Sequence, residues 1–168
     1  MLGSASGLLA GSGADNGWYR ALQKPDWNPP GWLFGVVWPM LYTLMGIALA
    51  MVVNARGAPG RGVAIGAFAV AFVANLTWSP VFFGKHLVST AFWITLVMIA
   101  TTVVTILLFA RIRRGAAMLL IPYLAWLCFA AFLNYTIDKL NPNAEILQGA
   151  GSSVAIGVGP NEGQDDAK

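Results

Sequence analysis

The sequence predicts an all-α, polytopic transmembrane helical bundle, and three observations carry that prediction. Hydrophobic residues make up 57% of the 168 residues and charged residues only 10%, where an ordinary soluble domain carries about 25% charged residues. The charges are also clumped: residues 27–55, 62–84, 86–110 and 115–137 contain no Lys, Arg, Asp or Glu. Each window exceeds the roughly 20 residues a helix needs to cross a bilayer. Lipid offers the backbone no hydrogen-bond partner, which excludes open strands. A soluble enzyme, a nucleic-acid binder and a disulfide scaffold are therefore excluded. The net charge of +3 comes from Lys and Arg lying between the apolar stretches, where such residues anchor loops. The single cysteine, Cys128, lies inside an apolar window and has no internal partner for a disulfide.

Taken in order, residues 1–15 form a glycine-rich apolar stub whose longest run of large apolar residues is Leu8-Leu9. No Lys or Arg precedes that run, so it does not read as a signal peptide, and it is too short for a full span. Residues 16–31 form a loop holding Trp18, Tyr19, Trp27, Pro25, Pro29 and Pro30 just ahead of a span. Its aromatic residues suit the headgroup level, and its prolines stiffen the chain. It reads either as an interfacial anchor belt or as a rigid lid over one end of the bundle. Spans follow at about 33–53, 62–83, 88–110 and 115–138, with Pro39 and Pro122 inside them as tolerated kinks. The 141–168 tail, rich in Gly, Asn, Ser and acids, is expected to be disordered. The 54–61 and 111–114 loops hold Arg56, Arg61, Arg111, Arg113 and Arg114, against Arg20, Lys24, Lys85 and Lys139 at the other end. The positive-inside rule then places those two loops in the cytoplasm.

Helical periodicity places Trp38, Tyr42, Met45 and Leu49 on one face of the second helix of the bundle. Asn75, Ser79 and Phe82 form a stripe on the third, with Trp78 beside it, and Tyr123, Trp126, Ala130 and Asn134 form one on the fifth. Asn75 and Asn134 are expensive in hydrocarbon and should point into the bundle. Each could be simple interhelical glue. Aromatic faces dotted with amides also suit a pocket for a flat, mainly apolar ligand.

Other candidates are weaker. His86, the only histidine, could ligate a haem-like metal, but without a partner it reads better as an interfacial residue. No cluster with metal-ligand spacing appears, nor a Ser-His-Asp set, phosphate loop or glycine fingerprint. Inverted repeats and broken-helix signals of secondary transporters are absent. Gly62, Gly66, Ala67 and Ala71 recur at small-residue spacing in the third span and hint at a homodimer seam. Leu133, Tyr135 and Lys139 fit a proposed sterol pattern that matches many unrelated helices.

The order Trp18-Tyr19…Lys24-Pro25…Trp27-Asn28-Pro29-Pro30…Trp32, then Trp38…Tyr42…Met45-Gly46, Asn75-Leu76…Trp78-Ser79-Pro80…Phe82-Phe83 and Pro122-Tyr123…Trp126…Phe129-Ala130…Leu133-Asn134 resembles the TspO/MBR family. That family comprises the tryptophan-rich sensory and translocator proteins, also called peripheral-type benzodiazepine receptors. The resemblance covers roughly residues 7–141 and implies a five-helix bundle, usually dimeric, whose first helix is only partly present here. It implies an integral, multi-pass protein of a bacterial membrane, surrounded by lipid. As ligand it implies a porphyrin (protoporphyrin IX or a haem-like tetrapyrrole) or another flat hydrophobic molecule, with no cofactor required. The pocket it implies uses Tyr19, Trp38, Asn75, Trp78, Phe82, Tyr123, Trp126 and Ala130. Trp38 and Trp126 match two tryptophans implicated in light-dependent porphyrin breakdown in some bacterial relatives, the alternative to a binding role. Transport of porphyrin, sterol or lipid is a third implication.

Overall fold

Four helices long and apolar enough to cross a membrane dominate residues 17–142, the residues that this computed structural model describes. The expected helical stub at 1–15 and all but the first two residues of the 141–168 tail lie outside them. A short helix α1 (Gly17–Ala21) precedes α2 (Gly31–Val53), α3 (Arg61–Ser79), α4 (Val88–Ile112) and α5 (Arg114–Leu140). With the turn at Pro80–Gly84 counted as part of the third span, the expected spans are met to within two residues at every end, and the 16–31 segment opens with one helical turn where only loop was expected. At 1.5 Å per residue, the four long helices are each of about 28–40 Å, matching a hydrocarbon core of about 30 Å.

Local sequence explains the helix ends. Gly57 and Gly60 take positive φ of 82° and 76°, and Gly60 caps α3 in the left-handed conformation that glycine adopts freely. Between α4 and α5 the chain reverses at one extended residue, Arg113. Gly115 at that turn lies where an added Cβ would come within 3.2 Å of Met51 Cε at the end of α2. This contact brings the α2–α3 loop and the α4–α5 turn, with all five loop arginines, to one end of the bundle. Pro80 has no N–H for an α-helical bond to Leu76. There the helix widens into a π turn, Pro80–Gly84, with Lys85 N–H donating to the Pro80 carbonyl at 3.0 Å. The wider turn sets Phe82 over Trp78 in a stack of 4.9 Å and 9°.

The helices pack as a ring, α2 on α5, α5 on α4 and α4 on α3, with α3 closing more loosely back on α2. Its deepest layer joins Leu41, Met45, Ala48 and Val52 of α2 to Ala64 and Phe68 of α3, Met98 and Phe109 of α4, and Leu120, Tyr123 and Leu127 of α5. One polar chain crosses this layer. Tyr42 OH donates to Asn75 Oδ1 at 2.9 Å, and Asn75 Nδ2 donates to the Tyr123 hydroxyl oxygen at 3.1 Å. It ties α2, α3 and α5 together at mid-membrane.

The segment between α1 and α2 folds across the opposite end from the arginines. Leu22 plugs a second buried cluster made by Phe82, Val88, Ala91, Leu133 and Ile137. Lys24 Nζ donates to the carbonyls of Tyr19, Arg20 and Leu22 and sits 4.8 Å from the Tyr19 ring centre. Tyr19 OH donates to Asn28 Oδ1 at 3.1 Å. Asn141, just past α5, fastens the segment to the bundle: Gln23 N–H donates to Asn141 Oδ1 at 2.9 Å, and Asn141 Nδ2 donates to the Gln23 carbonyl at 2.8 Å. The segment is thus a lid, stiffened internally, seated on the bundle through Leu22 and tied to the end of α5 by Asn141.

Two outcomes follow from these contacts. Asn75→Leu leaves two tyrosine hydroxyls without their amide and is expected to lower stability by about 1 kcal/mol, measured by denaturant unfolding in detergent. Combined with Tyr42→Phe, the losses should fall short of additive, because both variants remove one bond. Asn141→Ala is expected to speed amide exchange at Gln23 roughly fivefold, the equivalent of about 1 kcal/mol of lost hydrogen bonding. Exchange in the middle of α2 should stay as it was.

Candidate functional site

The polar chain and the tryptophans share one geometry. Trp38 is one turn from Tyr42, Trp78 one turn from Asn75 and Trp126 one turn from Tyr123, and each step leads toward the lid. Three inward, half-buried indoles from three helices therefore form an aromatic layer about one helical turn, or 5 Å, above the tyrosine–asparagine chain. Trp38 lies 5.4 Å from the Tyr42 ring, Trp78 stacks on Phe82, and Trp126 meets Phe34 at 5.7 Å and Phe129 at 5.4 Å. Trp78 packs against both the central and the lid-end clusters and so joins the two.

Tyr19 closes the layer from above. Its ring lies 6.2 Å from Phe82 and 5.8 Å from Phe83, both edge-on. Burial pushes its phenol above the ordinary tyrosine value. Partial desolvation draws the Lys24 ammonium beside it below the ordinary lysine value. The lid thus presents an aromatic, dehydrated underside.

The residues expected to line a pocket separate into three groups. Asn75 and Tyr123 are joined by a hydrogen bond, and Tyr42, which the stripe on α2 included, completes their chain. Tyr19 and Trp78 each contact Phe82 at the lid end. Trp38 and Trp126 lie on facing helices and reach the layer through Tyr42 and Phe34. Ala130 is half-buried one turn lidward of Trp126. Below the layer, a cavity of about 10 Å³ bordered by Met45, Ala71, Thr102, Leu120 and Tyr123 is water-sized.

Polar atoms set the chemistry of the layer. Asn134 is 3% exposed, and neither of its amide atoms has a hydrogen-bond partner; the Trp78 indole N–H is buried and unpartnered too. Asn75 is 5% exposed with both amide atoms used. Both asparagines do point into the bundle. Trp32 and Trp93, 68% and 65% exposed, point outward as an interfacial belt. The sequence offered no means of sorting these tryptophans beyond periodicity, and none of finding the Asn141 latch.

Three other motifs take definite places. Gly62 and Gly66 are exposed and Ala67 is half-buried, but Ala71 is 4% exposed and borders the interior cavity. Ala71, nine residues and about 180° of helix rotation from Gly62, therefore faces inward, away from the face of Gly62. In the sterol-like pattern, Leu133 is buried while Tyr135 and Lys139 face outward, with Lys139 Nζ 5.5 Å from the Tyr135 ring centre. The three residues do not share a face. His86 sits in the turn between Gly84 and α4 with φ of 56°. Among the described residues, no three His, Cys, Asp or Glu side chains gather.

With this geometry in view, the comparisons are informative. The TspO/MBR family model matches residues 1–140. The tryptophan-rich protein TspO of Chlorobaculum tepidum is 41% identical over 126 residues, covering 74% of this chain and 80% of the relative. A tryptophan-rich sensory protein of Cereibacter sphaeroides is 36% identical over 143 residues, covering 83% and 89%. The human translocator protein is 36% identical over 126 residues, covering 74% and 75%. The matched region contains the lid, all four spans and the layered aromatic and polar residues, and the chain belongs to the TspO/MBR family of multi-pass membrane proteins.

Proposed function

We propose that this chain is a membrane receptor or sensor for porphyrins and similar flat, apolar molecules, which it holds in the aromatic layer beneath the lid. The observation that carries this reading is the common offset of Trp38, Trp78 and Trp126 from the tyrosine–asparagine chain. It sets three indoles at one depth, where a planar conjugated ligand gains stacking and loses water. The names of the relatives, sensory protein and translocator protein, are compatible with that role.

Titration of protoporphyrin IX into purified protein in nanodiscs, read in the porphyrin absorbance, is expected to saturate in the micromolar range. Trp38→Ala and Trp126→Ala should each weaken binding roughly tenfold, about the energy of one lost aromatic contact and its burial. Trp32→Ala and Trp93→Ala, which alter outward indoles, should leave it unchanged. Equal effects from inward and outward substitutions would speak for partition into lipid alone.

A second reading draws on Trp38 and Tyr42, whose rings are 5.4 Å apart, with Tyr42 hydrogen-bonded onward through Asn75 to Tyr123. Two oxidisable side chains in contact, one leading into a hydrogen-bonded phenol pair, suit light- and oxygen-dependent breakdown of a bound porphyrin. Under illumination in air, Trp38→Phe and Trp126→Phe should then slow porphyrin loss at least several-fold while keeping most of the binding. Loss at the parental rate would leave binding as the only role of these indoles.

A further inference from the structure

Asn134 presents a buried primary amide with nothing to bond to. It is 3% exposed, and both Nδ2 and Oδ1 lack partners. Buried polar groups are paired in roughly nine cases of ten, and each orphaned group costs about 1–3 kcal/mol. Asn75, of the same residue type and equally deep, satisfies both of its amide atoms with tyrosines. Gluing helices together therefore accounts for Asn75 and leaves Asn134 unexplained.

Its surroundings lie between the proposed ligand layer and the lid. Leu133 and Ile137, one residue before and three after it, belong to the buried cluster that Leu22 of the lid plugs. Tyr19, Phe34 and Trp78 pack on that same cluster, and the Trp78 N–H is the other orphaned donor. The α4–α5 register is fixed by Ser89 Oγ donating to Asp138 Oδ1 at 2.9 Å and by the Phe92–Tyr135 ring contact. That register sets Asn134 level with Phe92 and Trp93, about two turns lidward of Trp126. Asn134 and Trp126 lie along one stripe of α5, joined by Ala130.

We propose that Asn134 is a recognition residue for a neutral ligand group that carries a hydrogen-bond acceptor beside a donor, a lactam or an un-ionised carboxylic acid. The proposal rests on the ligand-binding reading above. A primary amide offers N–H and C=O side by side, and only such a group answers both at once. An ester lacks the donor and leaves Oδ1 orphaned. A carboxylate also lacks it and adds the cost of an ion in a low-dielectric site.

The test compares protoporphyrin IX with its dimethyl ester, which differ only in the carboxyl O–H groups. Both are titrated at mildly acidic pH into the full chain in nanodiscs, against protein-free nanodiscs. The unaltered protein is expected to bind the acid about tenfold more tightly than the ester. In Asn134→Leu, which keeps the volume and removes the amide, that preference should fall below about twofold while ester binding is retained. The acid–ester comparison in the unaltered protein reads the proposal even where the variant does not fold. Equal binding of acid and ester, or an undiminished preference in the variant, overturns it and assigns the amide to a buried water. Failure of both forms to bind removes the porphyrin reading itself, and this proposal with it.

Discussion

The hydrogen-bonded chain Tyr42–Asn75–Tyr123 is the constraint on which the rest of the bundle depends. Between apolar helices in lipid, sliding and rotation meet little opposition, since one hydrocarbon contact replaces another. An amide and two phenols that must find each other remove that freedom at one depth, because misalignment leaves buried polar atoms unpaired. With α2, α3 and α5 fixed in rotation there, the residues one turn lidward are fixed as well. Trp38, Trp78 and Trp126 consequently turn inward, while Trp32 and Trp93 turn to the membrane surface. The polar chain thus acts as the floor that decides what the walls above it are made of.

The roof is built by a different economy. Three prolines and the Lys24 contacts stiffen the lid before it touches the helices. Asn141 then fastens it at Gln23, while Leu22 and the Tyr19 ring press into the lid-end cluster. Trp27 stacks on Phe132 at 5.2 Å along the outer flank of α5.

Much of this was legible in the sequence, for identifiable reasons. Charge-free windows located all four spans, and the ends expected within them fall within two residues of those observed, since lipid forbids ions over that length. Periodicity set Tyr42, Asn75 and Tyr123 on inward stripes but gave no way to see that they bond to one another. Pro80 was visible, yet its consequence, a π turn that stacks Phe82 on Trp78, depends on how the backbone accommodates a missing N–H. The small-residue stripe turns inward at Ala71, because Ala71 lies nine residues and about 180° of helix rotation from Gly62. The Asn141 latch joins positions 118 residues apart and leaves no local signal.

Asn75 and Asn134 together show what separates a structural polar residue from one held in reserve. Both are nearly inaccessible, and both incur the desolvation of a primary amide. Asn75 recovers it from two tyrosines, so its contribution is realised in the unliganded bundle. Asn134 recovers nothing within the protein. A folded chain that carries such a deficit is less stable by that amount, and an apolar residue of the same size would remove the deficit at once. A ligand that supplies the missing partner gains the same amount in affinity, and an analogue without the partner does not. The destabilisation borne by the empty protein is therefore the source of discrimination in the occupied one, a division of roles that two identical side chains about 16 Å apart along the bundle axis could sustain only because one is paired and the other is not.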